Sequence, residues 1–586
     1  VTPGAGPVHA SVAVPIPSRR LFVYAVPEDL VPRVRVGGRV RVPFGRRRIV
    51  GTVVEFPADP PEGIEIRSIE SVLDRGPSLE PEIVELTRFV ADYYLCSWGT
   101  AIEAALPPDP GPGRPRRTVR RLPGTDPDRL PTRATARRRV LAALPADGTA
   151  MPLGRLPERD RRVAATLARL GLVEIEDSFP EPGPPEGGPA PTSPPERLEP
   201  TPGQAAALDV LLPAVRDREY RPFLLYGATG SGKTEVYLRA AEATLAGGRG
   251  VLYLVPEIGL TPLLASRLRA RFGAEVSVLH SGLGRRDRYD AWERVRRGTC
   301  RFVVGTRSAV FTPVRDLGLI VVDEEHDGSY KQDETPRYNG RDLAVLRARE
   351  SGAVIVLGSA TPSLESFQHC RAGRYTLIRL GGRVEDRPLP AVDVVDMREE
   401  FRRAGDVHPL SRRLREALVG CLDRGDQALV LRNRRGWSVA LFCPACGNRV
   451  YCKDCSVTMT WHRSARRLRC HACFRETPAP RLCPHCGGDD LRYLGEGSER
   501  IEDELRVALP GARVARMDRD TVRRRGAHEA LLRRFANGEI DVLVGTQMIA
   551  KGHDFPRVTL VGVLSADQSL GLPDFRAGER TFQLLT

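Results

Sequence analysis

Lysine is nearly absent. Of 89 basic residues only four are lysines, at Lys233, Lys331, Lys453 and Lys551, and the other 85 are arginines. A bias this strong points to codon composition. It also makes each surviving lysine informative, because a compact ammonium does not substitute for a planar guanidinium. Long apolar runs are missing as well. No stretch reaches the roughly 20 residues that cross a bilayer, so no membrane span is expected. Val1 to Arg20 carry no apolar signal core, so secretion is not expected and the cytoplasm is the expected compartment. No repeat of about 20 to 50 residues recurs along the chain. Outside one block cysteine is rare: Cys96, Cys300, Cys370 and Cys421 are scattered and read as small buried residues.

What is present is ordinary for a globular chain. Its 586 residues suggest about four domains. Hydrophobic residues are 41% and charged residues 28%, which excludes a disordered tail, a collagen and a coiled coil. The net charge of +15 and a pI near 9.5 fit a polyanionic partner, nucleic acid first. A basic but inert surface fits the charge alone equally well.

Residues 8–107 read as β-rich. Val34-Arg35-Val36 and Arg39-Val40-Arg41-Val42 alternate around Gly37-Gly38, which predicts a hairpin with one apolar and one arginine face. Arg46, Arg47 and Arg48 follow directly. Alternating arginines favour phosphate contact, although an ordinary solvated strand face has the same pattern. Pro107 to Arg117 read as a linker. Residues 118–180 hold two helical patterns, near Ala134–Leu144 and Glu158–Leu170, then a strand-like Leu172–Ile175. That order suits a winged-helix-like domain or a helical spacer. Residues 181–200 form a proline-rich linker.

From Thr201 apolar strands alternate with amphipathic helices: Phe223–Tyr226, Val251–Val255, Val276–Leu279, Phe302–Val304, Leu319–Val322 and Val354–Leu357. This is the signature of a parallel α/β sheet. A second alternation runs through Gln427–Leu431, Val542–Val544 and Leu560–Leu564.

Gly227-Ala228-Thr229-Gly230-Ser231-Gly232-Lys233-Thr234 fits G-x-x-x-x-G-K-[ST] between a strand and a helix, the context that motif requires. Glycines let backbone N–H groups wrap phosphates, and the helix N-terminus adds positive potential. Lys233 would hold the β- and γ-phosphates of ATP and Thr234 the Mg²⁺ ion. About 90 residues on, a buried strand ends in Asp323-Glu324-Glu325-His326. Asp323 suits the Mg²⁺ shell, and Glu324 suits a base or water-orienting role. Gly358-Ser359-Ala360-Thr361-Pro362 closes another strand. In an NTP-driven motor such a segment links nucleotide to nucleic acid.

Eight cysteines form four Cys-x-x-Cys pairs: Cys443/Cys446, Cys452/Cys455, Cys470/Cys473 and Cys483/Cys486. Two knuckles complete one tetrahedral site, so eight ligands predict two Zn²⁺ ions rather than a redox dithiol. Spacing alone leaves the pairing of knuckles open. Histidines 462, 471 and 485 lie near enough to compete as ligands. Metal ligation must supply much of the folding energy of so small an insert. Arg463, Arg466, Arg467 and Arg469 give it a basic face.

Taken together, the phosphate loop through Tyr237, Leu254-Val255-Pro256-Glu257, Gly305-Thr306-Arg307-Ser308, the acidic motif and Ser359-Ala360-Thr361 resemble the motifs of superfamily 2 helicases. His280–Leu283, Ser329-Tyr330-Lys331-Gln332, Gly545–Asp554, Pro573–Ala577 and Glu579–Thr586 narrow the resemblance to the primosomal replication-restart helicases. It runs from about Val8 to the last residue. Three of the four lysines, Lys233, Lys331 and Lys551, fall where that family uses lysine.

The resemblance implies an ATP-dependent 3′-to-5′ DNA helicase that recognises abandoned forks and reloads the replicative helicase. Its fold would be α/β and multidomain. Two RecA-like lobes, 201–385 and 386–586, would bind ATP between them, with a zinc-binding insertion at 440–490 in the second. A β-rich domain for DNA 3′ ends (8–107) and the winged-helix-like domain would precede them. The resemblance also places Gln204 at the adenine, and Tyr330, Lys331 and Tyr338 in an aromatic loop that stacks on bases and couples DNA to ATP. Phe22, Gly45 and Arg67 would line the pocket for the 3′ end. It pairs Cys443, Cys446, Cys483 and Cys486 on one zinc and Cys452, Cys455, Cys470 and Cys473 on the other. Expected partners are forked and single-stranded DNA, single-strand-binding protein and other primosome proteins, with the chain acting as a monomer.

Three departures stand out. Val23 replaces the family's aspartate, so the resemblance does not carry recognition of a 3′-hydroxyl onto this position. Asn339-Gly340 replaces the usual His-Ala in the coupling loop. The string ending at Thr586 stops where the family continues into a glutamine- and arginine-rich motif and a further domain, so a truncated product is expected. For the chain as it stands, a non-catalytic fork-binding scaffold is the alternative to the helicase.

Overall fold

A computed structural model describes residues 8–57, 65–74, 78–107, 116–149, 151–178, 199–256, 262–280, 282–382, 390–404, 408–432, 439–455, 457–462, 466–470, 473–494, 498–517, 527–546, 555–571 and 574–586. They divide into two compact units. One comprises Val1–Pro195, Leu268–Asp316 and Gln332–Tyr338, and the other Glu196–Arg267, Leu317–Lys331 and Asn339–Thr586. Most of the proline-rich stretch 181–200 and the segment Gln547–Asp554, with Lys551, lie outside the described residues. No described helix is long and apolar enough to cross a membrane.

The first unit opens with a five-stranded antiparallel sheet in the order Phe22–Ala25, His9–Ala13, Arg47–Glu55, Arg39–Phe44, Ser71–Val72. Ala10, Val12, Val40, Val42 and Val53 fill its inner face. The hairpin turn at Gly45 lies eight residues downstream of Gly37, where the alternation of Val34 to Val42 suggests the turn to begin. Val34–Gly38 form turns closed by Val34 N–H on Leu30 and Gly38 N–H on Arg35. The hairpin joins Arg39–Phe44 to Arg47–Glu55, with Phe44 opposite Arg47 and Gly45 at φ +59° in the two-residue loop. Gly37, also at positive φ, breaks the strand that periodicity alone would extend.

Next comes a three-stranded antiparallel sheet ordered Met151–Pro152, Arg116–Arg121, Val173–Ser178. Helices Thr135–Ala142 and Glu158–Arg169 pack on it around Val119, Val140, Leu141, Ala164 and Leu167. This is a winged-helix-like arrangement. Its first strand, Arg-Arg-Thr-Val-Arg-Arg, begins inside the stretch that reads as linker, because Val119 is its only apolar residue. A parallel pair, Val276–Leu279 with Phe302–Gly305, also belongs to this unit.

In the second unit five parallel strands lie in the order Gly250–Leu254, Leu317–Val322, Val354–Ser359, Arg221–Gly227, Thr376–Leu380. Every residue of the first three is buried, which explains their continuous apolar sequence. The C-terminal ends of neighbouring strands therefore present Asp323, Ser359 and Gly227 side by side. A second parallel sheet is ordered Val514–Met517, Val542–Gly545, Gln427–Arg432, Val558–Leu564. Between its strands the cysteine-rich block forms a separate antiparallel sheet. Phe442 and Arg492 pair in that sheet, so the insert leaves and returns at adjacent points.

One buried ion pair pins the acidic strand end. Glu325 is 1% exposed. Its carboxylate accepts from Arg341 at 3.0 Å, from the Ser363 backbone N–H at 2.6 Å, and from the Ser363 and Ser366 hydroxyls at 3.0 and 2.8 Å. Removing one partner of a buried pair costs about 3–5 kcal/mol, because the other charge stays buried. Arg341→Met should therefore lower the melting temperature of this unit by roughly 6–12 °C. The double variant Glu325→Gln/Arg341→Met should recover part of that loss. Calorimetry of both variants beside the parent checks this.

Candidate functional site

The phosphate loop joins strand Arg221–Gly227 to helix Lys233–Ala246. Gly230 and Gly232 sit at φ +79° and +83°, conformations that a side chain disfavours. Gly227 has a different constraint: a Cβ there would lie 2.6 Å from Ser231 Oγ and 2.9 Å from Leu380 Cβ. Lys233 is buried, and its ammonium donates to the carbonyls of Gly227 at 2.8 Å and Ala228 at 3.3 Å. Ser231 Oγ is buried with no hydrogen-bond partner among the described residues. A buried hydroxyl without a partner is costly, and beside a lysine in a glycine-rich loop it fits an anionic ligand.

The Gln204 side chain is held by its own helix start and by the phosphate loop. Its Oε1 accepts from the Thr201 N–H at 2.9 Å while Thr201 Oγ1 accepts from the Gln204 N–H at 3.3 Å, a capping box on helix Pro202–Asp217. Its Nε2 donates to the Gly232 carbonyl at 3.3 Å. The amide thus ties the helix start to the phosphate loop.

Asp323 lies at the end of the central strand. Tyr237 donates to its Oδ1 and Tyr253 to its Oδ2, each at 3.2 Å. Burial raises the Asp323 carboxyl above its ordinary range, against the pull of the Lys233 charge and the two phenols. Glu324 has φ +45°, a strained backbone for a non-glycine residue and a frequent mark of functional sites. His326 Nδ1 lies 2.8 Å from Ser359 Oγ, which also accepts from the Thr361 N–H at 2.9 Å. The acidic motif and the small-hydroxyl motif are therefore directly joined.

The two loop tyrosines are not stacking platforms in this structure. Tyr330 and Tyr338 are each 1% exposed. The Tyr330 hydroxyl donates to the carbonyls of Asp323 at 2.7 Å and Leu254 at 3.1 Å. The Tyr338 ring meets Phe311 edge-on at 5.1 Å and has the Arg307 guanidinium 5.9 Å from its centroid. Burial pushes the Tyr338 hydroxyl up to about 12. Lys331 is exposed. The Asn339-Gly340 substitution has a local use: Asn339 Oδ1 accepts from the Arg341 N–H at 3.0 Å and caps helix Gly340–Glu350.

The cysteines meet in two sets, Cys443/Cys446/Cys483/Cys486 and Cys452/Cys455/Cys470/Cys473. All sulfurs within a set lie within 4.8 Å of one another. Cys443–Cys486, Cys446–Cys483 and Cys452–Cys473 are separated by 3.6, 3.7 and 3.6 Å. A tetrahedral Zn–S₄ site with bonds of about 2.3 Å has edges of about 3.8 Å, so both sets fit zinc. Three of the four knuckles share one turn. Gly447, Phe474 and Gly487 each donate backward to the first cysteine of their knuckle, and each has positive φ. Of the competing histidines, the described His462 and His485 join neither set; His471 and Arg463 lie outside the described residues.

In the N-terminal sheet, Phe22 packs edge-on against Phe44 at 5.1 Å, beside Gly45. Arg67 donates to the Gly45 carbonyl at 3.0 Å. Phe22, Gly45 and Arg67 therefore share one end of the sheet. A Cβ on Gly45 would meet no atom within 4 Å, so the turn is open on that side.

Two parallel α/β sheets, a glycine-rich phosphate loop beside a strand-end acid, and a two-cluster cysteine insert define a nucleotide-dependent helicase. Family models match accordingly: a 3′ DNA-binding domain over residues 11–107, a DEAD/DEAH box helicase over 201–369, the PriA DNA helicase Cys-rich region over 452–478 and a helicase conserved C-terminal domain over 495–578. The chain is 38% identical to replication restart protein PriA of Bacillus subtilis (strain 168) over 645 residues, covering 97% of this chain and 79% of that protein. It is 36% identical to the protein of that name from Synechocystis sp. and 37% identical to the one from Haemophilus influenzae, covering 98% of this chain and 79% of each relative. The chain belongs to the replication restart protein PriA family.

The nested clusters make separable predictions. Cys446→Ser should lower zinc content from two ions to about one per chain, and Cys455→Ser should do the same. Combining them should remove both. Elemental analysis of purified protein reads this directly.

Proposed function

We propose that this chain is an ATP-dependent DNA helicase that moves 3′ to 5′, recognises stalled or abandoned replication forks and initiates primosome assembly for replication restart. The observation that carries the reading is that one parallel sheet brings the phosphate loop with Lys233 and Thr234, after strand Arg221–Gly227, and Asp323, after strand Leu317–Val322, to the same edge, in a chain that also matches a 3′ DNA-binding domain. Lys233 is the phosphate-binding cation, with Ser231 and the loop glycines beside it. Thr234 and Asp323 are the residues that would hold Mg²⁺, which supplies charge neutralisation at the β- and γ-phosphates when bound. Glu324 orients the attacking water. The half-buried His326–Ser359 bond gives this site a path toward the DNA-facing segments. Phe22, Gly45, Arg67 and Lys331 are the proposed DNA contacts. The two cysteine sets hold structural zinc. Single-strand-binding protein and other primosome proteins are the proposed partners of a cytoplasmic, monomeric enzyme.

ATP hydrolysis by the 586-residue chain, measured with and without forked DNA, tests this. DNA should stimulate turnover, and Lys233→Ala should lower it by about 10² or more. Flat turnover with tight fork binding would instead describe a DNA-binding scaffold. A second test concerns the 3′ end. Valine cannot accept a hydrogen bond from a 3′-hydroxyl, whereas a carboxylate can. Val23→Asp should therefore increase discrimination between 3′-hydroxyl and 3′-blocked fork ends by several-fold in a binding titration.

A further inference from the structure

Helix Ala577–Leu585 reaches from the core of the second parallel sheet to the segment after strand Val354–Ser359 of the first. Toward its end, Leu584 packs on the cluster of Leu431, Met517 and Phe535. At its start, the Asp574 carboxylate accepts from the Arg576 N–H at 2.9 Å and sets that residue in place. The Arg576 guanidinium then meets Glu365 with two nitrogens: Nη1 donates to Oε2 at 3.0 Å and Nη2 to Oε1. Glu579 Oε1 accepts from the Leu364 N–H at 3.0 Å. Gln583 Nε2 donates to the Thr361 carbonyl at 3.4 Å. Positions 576, 579 and 583 follow the spacing of one helix face.

The segment they grip is the one already bonded to the acidic motif. Thr361 donates its N–H to Ser359 Oγ, itself 2.8 Å from His326 Nδ1, and gives its carbonyl to Gln583. Ser363 and Leu364 are neighbours at the start of helix Leu364–Arg371. The Ser363 N–H goes to Glu325 of the acidic motif, and the Leu364 N–H goes to Glu579. The first N–H groups of a helix lack intrahelical partners and favour negative charge. Here one carboxylate comes from beside the nucleotide site and the other from the helix packed on the second sheet. The Arg576 and Glu365 side chains are 31% and 43% exposed, so their pair contributes at most about 1 kcal/mol to stability. It does not hold the fold, whereas a two-pronged contact does fix an orientation.

We propose that Arg576 and Glu579 are positioning residues that clasp the second parallel sheet to segment Thr361–Glu365, so that the placement of that sheet is felt at Ser359 and the acidic motif and DNA binding is tied to hydrolysis. This rests on the nucleotide reading given above. Coupling needs an element that both sites bias, and Thr361–Glu365 is bonded from both sides. Substitutions along such a connection change coupling by about 2- to 30-fold.

The test uses the 586-residue chain with Arg576→Glu, Glu365→Arg and the two combined. Hydrolysis with and without forked DNA gives a stimulation ratio, and amide hydrogen exchange is followed in the peptide covering residues 359–371. Arg576→Glu should cut the ratio about fivefold and speed exchange in that peptide, while the melting temperature and the affinity for a fluorescent ADP stay those of the parent. Glu365→Arg should do the same. The combined variant, which re-forms the pair with its charges exchanged, should recover most of the ratio. Equal stimulation in the parent and Arg576→Glu would overturn the proposal, and so would a combined variant no better than either single one. Should Arg576→Glu not fold, unchanged stimulation in Glu579→Gln overturns it instead. A parent whose hydrolysis DNA does not stimulate overturns the helicase reading and this proposal with it, an outcome visible before any variant is made.

Discussion

The second unit is organised around two carboxylates that its sheet carries into the interior. Asp323 and Glu325 follow a strand buried along its whole length, and neither can stay charged there without compensating donors. The surrounding sequence supplies them from every direction. Tyr237 and Tyr253 serve Asp323; Arg341, Ser363 and Ser366 serve Glu325. These donors come from four elements, with Ser363 and Ser366 sharing the start of one helix, so the acids fix where those elements sit. Gly358 has no side chain because a phenol occupies the place its Cβ would take. The residues are thus linked by hydrogen-bond satisfaction as much as by hydrophobic packing.

The zinc insert solves a different problem. Its core is Leu441, Val450, Met459 and Leu468 with two cysteines, too little apolar area to fold alone. Metal ligation closes the deficit, and the shared turn at Gly447, Phe474 and Gly487 shows how the backbone prepares three of the four knuckles. Asn448 donates to Cys446 Sγ at 3.7 Å, an N–H to sulfur contact that favours thiolate. Since Phe442 and Arg492 pair at its base, the insert can be large without disturbing the parallel sheet from which it emerges.

Much of this was legible from sequence because the signals were strong where the physics is strict. Strands buried on both faces read as continuous apolar runs, and Phe223–Tyr226, Val251–Val255 and Leu319–Val322 all fall in or on observed strands. The phosphate loop and cysteine knuckles were legible because spacing is the chemistry. Arg116–Arg121 was missed because one valine among arginines leaves no periodicity. Val514–Met517 and Thr376–Leu380 were missed because they lie at sheet edges and are only partly buried. The hairpin was misplaced because alternation through Val34 to Val42 cannot show that Gly37 turns the chain. The tyrosines around Asp323 had no local signature at all. Tyr237, Tyr253 and Tyr330 are separated in sequence and are brought to one residue only by strand order.

Tyr330 and Tyr338 keep their rings buried while charged residues between them stay exposed. The segment after the acidic motif is anchored at Tyr330 to the Asp323 carbonyl and at Arg341 to the Glu325 carboxylate. Between the anchors lie exposed Lys331, Asp333, Glu334 and Arg337. Both anchors lie on the acidic motif, one on the backbone carbonyl of Asp323 and the other on the carboxylate of Glu325. Asn339 strengthens one end by capping the helix that carries Arg341. The departure from the family's usual pair therefore removes a histidine and puts in its place an asparagine whose side chain satisfies the first turn of that helix.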